Sequence, residues 1–120
     1  MYGFPRQLDL SPALGEFTTQ LCVGQFDLQF SLGDFRFVVQ SKIDLLRSGQ
    51  LIASWEPGRW PEPAFYSVMN EPVTRIEFVH DRLLEIELES GLVLCIPDAS
   101  DEYESAQIIV GTHSQHVYIV

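Results

Sequence analysis

The chain has 120 residues, room for one compact domain with a single core. Hydrophobic residues make up 46% and charged ones 20%, a globular composition rather than a disordered one. Seventeen Asp and Glu against seven Lys and Arg leave a formal charge of −10, which argues against nucleic acid and anionic membranes as partners and favours a cationic one.

The start, Met1-Tyr2-Gly3-Phe4-Pro5-Arg6, lacks the basic stretch and apolar run of a signal peptide. No apolar run approaches the roughly 20 residues of a membrane helix. The expected location is therefore cytoplasmic. Residues 1–120 are expected to form one β-rich domain, with 1–15 as an N-terminal arm in which Ser11-Pro12 opens a helical turn.

Alternation then takes over, and side chains of period two mean half-buried strands. Phe17, Thr19, Leu21 and Val23 share one face of a first strand, which Gly24 ends. Phe26, Leu28, Phe30 and Leu32 share a face of the second. Phe35, Phe37 and Val39, continued by Ser41 and Ile43, form the third. A two-residue loop at Gly33-Asp34 sets Leu32 against Phe35 and Phe30 against Phe37, and glycine at its first position suits a type II′ turn. Register and turn chemistry therefore agree.

Leu45 to Trp55 reads as a hairpin turning at Ser48-Gly49, with a short helix as the alternative. Pro57, Gly58, Pro61 and Pro63 mark an irregular loop, and Ala64–Asn70 a helical turn or two. The segments 75–79, 84–88 and 92–96 alternate cleanly. A three-residue loop at Glu89-Ser90-Gly91 puts Ile86 opposite Leu94, and a loop at His80-Asp81-Arg82 puts Phe78 opposite Leu84 and Ile76 opposite Ile86. Strands at 107–110 and 116–120 close the chain. The expected fold is mainly β: an antiparallel roll, sandwich or partly open barrel with one or two short helices.

Cys22 and Cys95 fall in strands far apart and read as buried thiols. There is no G-x-S-x-G elbow, no cysteine with a nearby histidine and no phosphate loop, so no catalytic residue is nominated. His113-x-x-His116 lies at a turn or strand start, where positions three apart point to opposite faces, so no metal is expected. The acidic run Asp98–Ser105 lacks the glycine and spacing of a calcium loop and reads as a solvated loop. No cofactor is expected.

Two surfaces stand out as binding candidates. The derived register sets Glu77 against Glu85, a like-charge pair that costs stability, with Arg75 opposite Glu87 offsetting part of it. Val93 and Cys95 lie beside these glutamates, making a mixed acidic and apolar face. Replacing Glu77 by Lys is expected to relieve the repulsion. The second surface is the loop carrying Trp55, Arg59 and Trp60, residue types enriched at binding hot spots; one tryptophan is expected to plug the core and the other to be exposed. Asp101, Glu102 and Glu104 extend the acidic character.

The run Leu84–Asp98, followed by Asp101-Glu102-Tyr103-Glu104-Ser105, resembles a family of small uncharacterised bacterial β-domains. These show a hairpin of the form L-x-L-x-F-x-x-G-x-x-L-x-I, an acidic loop with Tyr-Glu-Ser, and a last strand. The pattern from Val23-Gly24-Gln25-Phe26 to Phe30 is also similar. The segment Trp55–Pro72 departs from the short connection of that family. Such domains are found beside polymorphic toxin genes, and some are regarded as immunity proteins. The resemblance implies a non-catalytic, toxin-neutralising binder with a basic protein partner, and supplies no catalytic residues. The alternative is a small-molecule-binding roll or barrel with its mouth near Trp55, Trp60, Phe65 and Tyr66. A less favoured reading is an enzyme using Glu77 and Glu85. A homodimer paired through an exposed strand edge at His116–Val120 is also compatible with the pattern.

Overall fold

A computed structural model describes residues 8–80, 82–97, 106–110 and, as backbone, 116–119. Among the described residues there are ten strands: β1 Cys22–Val23, β2 Leu28–Leu32, β3 Phe35–Val39, β4 Ile43–Arg47, β5 Gln50–Trp55, β6 Val73–His80, β7 Leu83–Leu88, β8 Leu92–Pro97, β9 Ala106–Val110 and β10 His116–Ile119. Two 3-10 turns, Ser11–Ala13 and Pro63–Val68, accompany them. The strands form two antiparallel five-stranded sheets, ordered β1-β2-β3-β9-β10 and β5-β4-β8-β7-β6. The chain crosses from the first sheet to the second after β3 and returns after β8. The fold is thus all-β, an open two-sheet sandwich. No described helix is long and apolar enough to cross a membrane.

Each sheet turns one apolar face inward, because alternate residues of a strand point to opposite sides. The first contributes Leu28, Phe30, Leu32, Phe35, Phe37 and Ile108, the second Leu45, Trp55, Leu84, Ile86, Leu88, Leu94 and Ile96, all in one core cluster. Phe30 faces Phe37 across the β2–β3 ladder, and their rings stack with centroids 5.1 Å apart. Such a pair adds about 0.5–1.5 kcal/mol beyond the area it buries.

The turns explain why the registers are those expected. Gly33 has φ +60° and Asp34 no positive φ, the pattern of a type II′ turn, and Leu32 and Phe30 pair with Phe35 and Phe37. Ser48 and Gly49 both take positive φ, as a type I′ hairpin requires, so 45–55 is a hairpin. Gly91, at φ +93°, donates its N–H to the Leu88 carbonyl, and Ile86 faces Leu94.

Other expectations are corrected. Only Cys22 and Val23 of the first proposed strand are in a ladder. Ahead of them the backbone bonds elsewhere: Gly15 N–H donates to the Val73 carbonyl, Val73 N–H to the Glu16 carbonyl, and Asn70 N–H to the Thr18 carbonyl. This segment buries Thr18 and leaves Phe17 half exposed, the reverse of the expected face. Phe26 is not in β2: Gly24 N–H closes a turn onto the Asp27 carbonyl, and Phe26 is 68% exposed. β3 stops at Val39, and Ile43 belongs to the other sheet. β6 runs on to His80, opposite Leu83, with an irregularity after Phe78, so the connection is tighter than three residues. The helical segment is the 3-10 turn Pro63–Val68 and ends before Asn70. Within the N-terminal arm the turn expected at Ser11-Pro12 is present as Ser11–Ala13, and Leu10 and Ala13 pack into the core. Cys22 is exposed and Cys95 half-buried, both as free thiols.

Candidate functional site

The outer face of the second sheet gathers most of the nominated residues. Its strands put Leu84, Ile86 and Leu88 inward, so Glu85 and Glu87 must point out. Pairing then fixes two neighbouring rows across all five strands. One reads Ser54, Asp44, Cys95, Glu85, Glu77 and the other Leu51, Leu46, Val93, Glu87, Arg75. The face carries an apolar row, Leu51, Leu46 and Val93, beside Asp44 and Ser54 on β4 and β5, and is charged in both rows on β7 and β6.

Arg75 organises the charged half. Its Nη1 donates to Glu77 Oε1 at 2.6 Å, its Nη2 to Glu85 Oε1 at 3.1 Å and its Nε to Glu87 Oε1 at 2.9 Å. The sequence reading gave Arg75 to Glu87 alone and left Glu77 and Glu85 repelling each other. One planar guanidinium instead spans all three carboxylates, as its fan of five donors permits. The Glu87 hydrogen bond, followed by those to Glu77 and Glu85, raises the Arg75 pKa against the opposing effect of burial. At the other end of the row, Asp44 accepts from Ser54 Oγ at 2.8 Å and pairs with Lys42 at 3.5 Å. Asp44, Glu77, Glu85 and Glu87 against Lys42 and Arg75 leave a net −2 on this face (four negative, two positive).

Cys95 sits between these carboxylates, its Sγ 3.9 Å from Glu85 Oε2. Burial, then the charges of Glu85 and Asp44, push its pKa up to about 11. A thiol held protonated is a poor nucleophile. Among the described residues no group of three or more His, Cys, Asp and Glu is placed to hold a metal ion.

The tryptophan loop lies apart. Trp55 is fully buried, and its Nε1 donates to the Arg59 carbonyl at 2.8 Å. That bond ties down the loop and leaves Trp60 82% exposed. Val23, Gly24 and Gln25 join Gly58, Arg59 and Trp60 around a notch of about 220 Å³. Trp60 therefore stands at the edge of the first sheet, not on the acidic face. Phe65 is buried and Tyr66 exposed, so Trp55, Trp60, Phe65 and Tyr66 do not share one mouth. Asp101, Glu102, Glu104 and His113 lie outside the described residues.

Sequence reasoning missed Asp44, Leu46 and Leu51 on the acidic face, and the exposure of Phe26. The first three arrive through the β4–β8 pairing, which joins segments about fifty residues apart and leaves no local pattern. Phe26 was hidden by an alternation that matched its neighbours. Comparison of the chain with protein-family models, with curated proteins and with solved structures yields no match.

Proposed function

We propose that this chain is a non-catalytic protein-binding domain of the immunity type, which blocks a basic toxin by covering it with the outer face of its second sheet. The supporting observation is the composition of that face. Three glutamates share one arginine beside an apolar patch of Leu46, Leu51 and Val93. An apolar centre supplies burial, and the surrounding excess of carboxylates steers a cationic partner and rejects an anionic one. Trp60, exposed beside Arg59, offers a separate anchoring point.

The test is affinity capture from the native host at low salt, with the wild-type chain and an Asp44→Lys, Glu85→Lys double variant. The expected outcome is one basic protein on the wild type and its loss from the variant. Adding salt to the wild type should slow association more than it speeds release. Equal capture by both chains would sink the assignment to this face.

A further inference from the structure

The sandwich has four sheet edges, and they are not treated alike. An edge strand presents unpaired N–H and C=O groups, and proteins blunt such edges with short strands, charges, prolines, bulges or a covering segment. β1 is only two residues long. The edge at β6 is covered at its start, where Gly15 and Glu16 exchange hydrogen bonds with Val73. β10 lies at the far edge of the first sheet, its side chains outside the described residues. β5 has a bulge at Ile52 and, among the described residues, none of the other devices. Its sequence, Gln50-Leu51-Ile52-Ala53-Ser54-Trp55, carries no charge and no proline. It pairs with β4 on one side, and no further backbone bond is made by Gln50–Ser54 among the described residues. The 3-10 turn Pro63–Val68 approaches β5, yet Leu51 stays 61% and Ile52 40% exposed. The bulge that displaces Ile52 lies opposite Leu45 and Leu46 and does not introduce a charge.

We infer that β5 pairs antiparallel with the β5 of a second copy, joining two five-stranded sheets into one across a two-fold axis. Charge selects this occupant. A chain of net charge −10 meets its own copy with least repulsion along a strand that carries no charge. A basic partner would find no carboxylate on β5 to complement. The strand is also its own complement: with the axis near Ile52, Gln50 lies opposite Ser54 of the copy, Leu51 lies opposite Ala53, and Ile52 meets its counterpart. Six residues of edge and two apolar side chains make a small interface, so the dimer is weak, with a Kd on the order of 10–100 µM. This inference does not depend on the proposed toxin-binding role.

Sedimentation velocity of the full chain from about 1 to about 500 µM, bracketing that range, tests it. The expected result is a reversible rise to the mass of two chains, with slower hydrogen exchange in 50–54 at high concentration. Ile52→Lys and, separately, Leu51→Lys should each weaken the dimer at least about tenfold by placing like charges at the axis or one residue from it. Leu14→Lys, on an exposed residue away from β5, should not. Circular dichroism confirms folding, and if one variant misfolds the other gives the reading. A monomer throughout the range overturns the inference, as does a dimer that survives both lysine variants.

Discussion

Glu77 stands directly opposite Glu85 in the β6–β7 ladder, and both accept a hydrogen bond from one group, the Arg75 guanidinium. A repulsive pair in sequence is a bridged pair in space. Replacing Glu77 by Lys therefore does not simply turn repulsion into attraction. It removes the 2.6 Å contact with Arg75 and sets a second cation beside it, while gaining a partner in Glu85. The two effects oppose each other on an exposed surface, so the expected change in stability is within about 0.5 kcal/mol. Arg75→Leu is the harsher change, because it strips the counterion from three carboxylates at once. It should cost about 1–2 kcal/mol near neutral pH, as several cross-strand pairs are lost together. Denaturant titrations should show this gap narrowing at high salt, which screens exposed ion pairs. A gap independent of salt would mean that Arg75 acts through packing of its aliphatic stem.

The contrast shows what was legible in the chain. Hairpins were read well, because turn residues and two-residue periodicity constrain the same register: Gly33, Ser48-Gly49 and Gly91 each take the positive φ that their loops require. Segments whose backbone bonds run to distant partners were read poorly. Phe17 and Thr19 alternate like a strand, yet the chain there is tied to Val73 and Asn70. The candidate site divides the same way. Glu77, Glu85 and Glu87 follow from hairpin arithmetic, whereas Asp44 and Leu46 join them only through the β4–β8 pairing. The sharing of one arginine among three acids depends on side-chain reach, which a register does not encode.

The two thiols should behave differently. Cys22 is exposed, while Cys95 is half-buried with a pKa of about 11. Iodoacetamide near neutral pH should label Cys22 in the folded protein and spare Cys95 until the chain is unfolded, as peptide mass mapping would report. The raised pKa also has a consequence for stability. The folded state holds the Cys95 proton more tightly than the unfolded state, so its contribution is complete below the unfolded thiol value of 9.0 and is lost as pH rises towards about 11. Stability should fall across that alkaline window, and Cys95→Val should flatten the part due to this thiol. Rapid labelling of Cys95 in the native protein would contradict the burial that underlies both expectations.

The two tryptophans supply the last separation, between holding the fold and meeting a partner. Trp55 fills the core and its indole N–H holds the Arg59 carbonyl. Trp55→Phe leaves a cavity and an unpaired loop carbonyl, and should cost about 2–3 kcal/mol. Trp60 projects into solvent from the same loop, so Trp60→Ala should change stability by less than about 0.5 kcal/mol. Acrylamide should quench Trp60 readily and Trp55 weakly, which the single-tryptophan variants would resolve. For binding the order reverses. If the Trp60 loop anchors the partner, Trp60→Ala should lose at least about 2 kcal/mol of affinity, roughly thirtyfold, through faster dissociation. Unchanged dissociation from a captured partner would confine recognition to the outer face of the second sheet and leave Trp60 outside the interface.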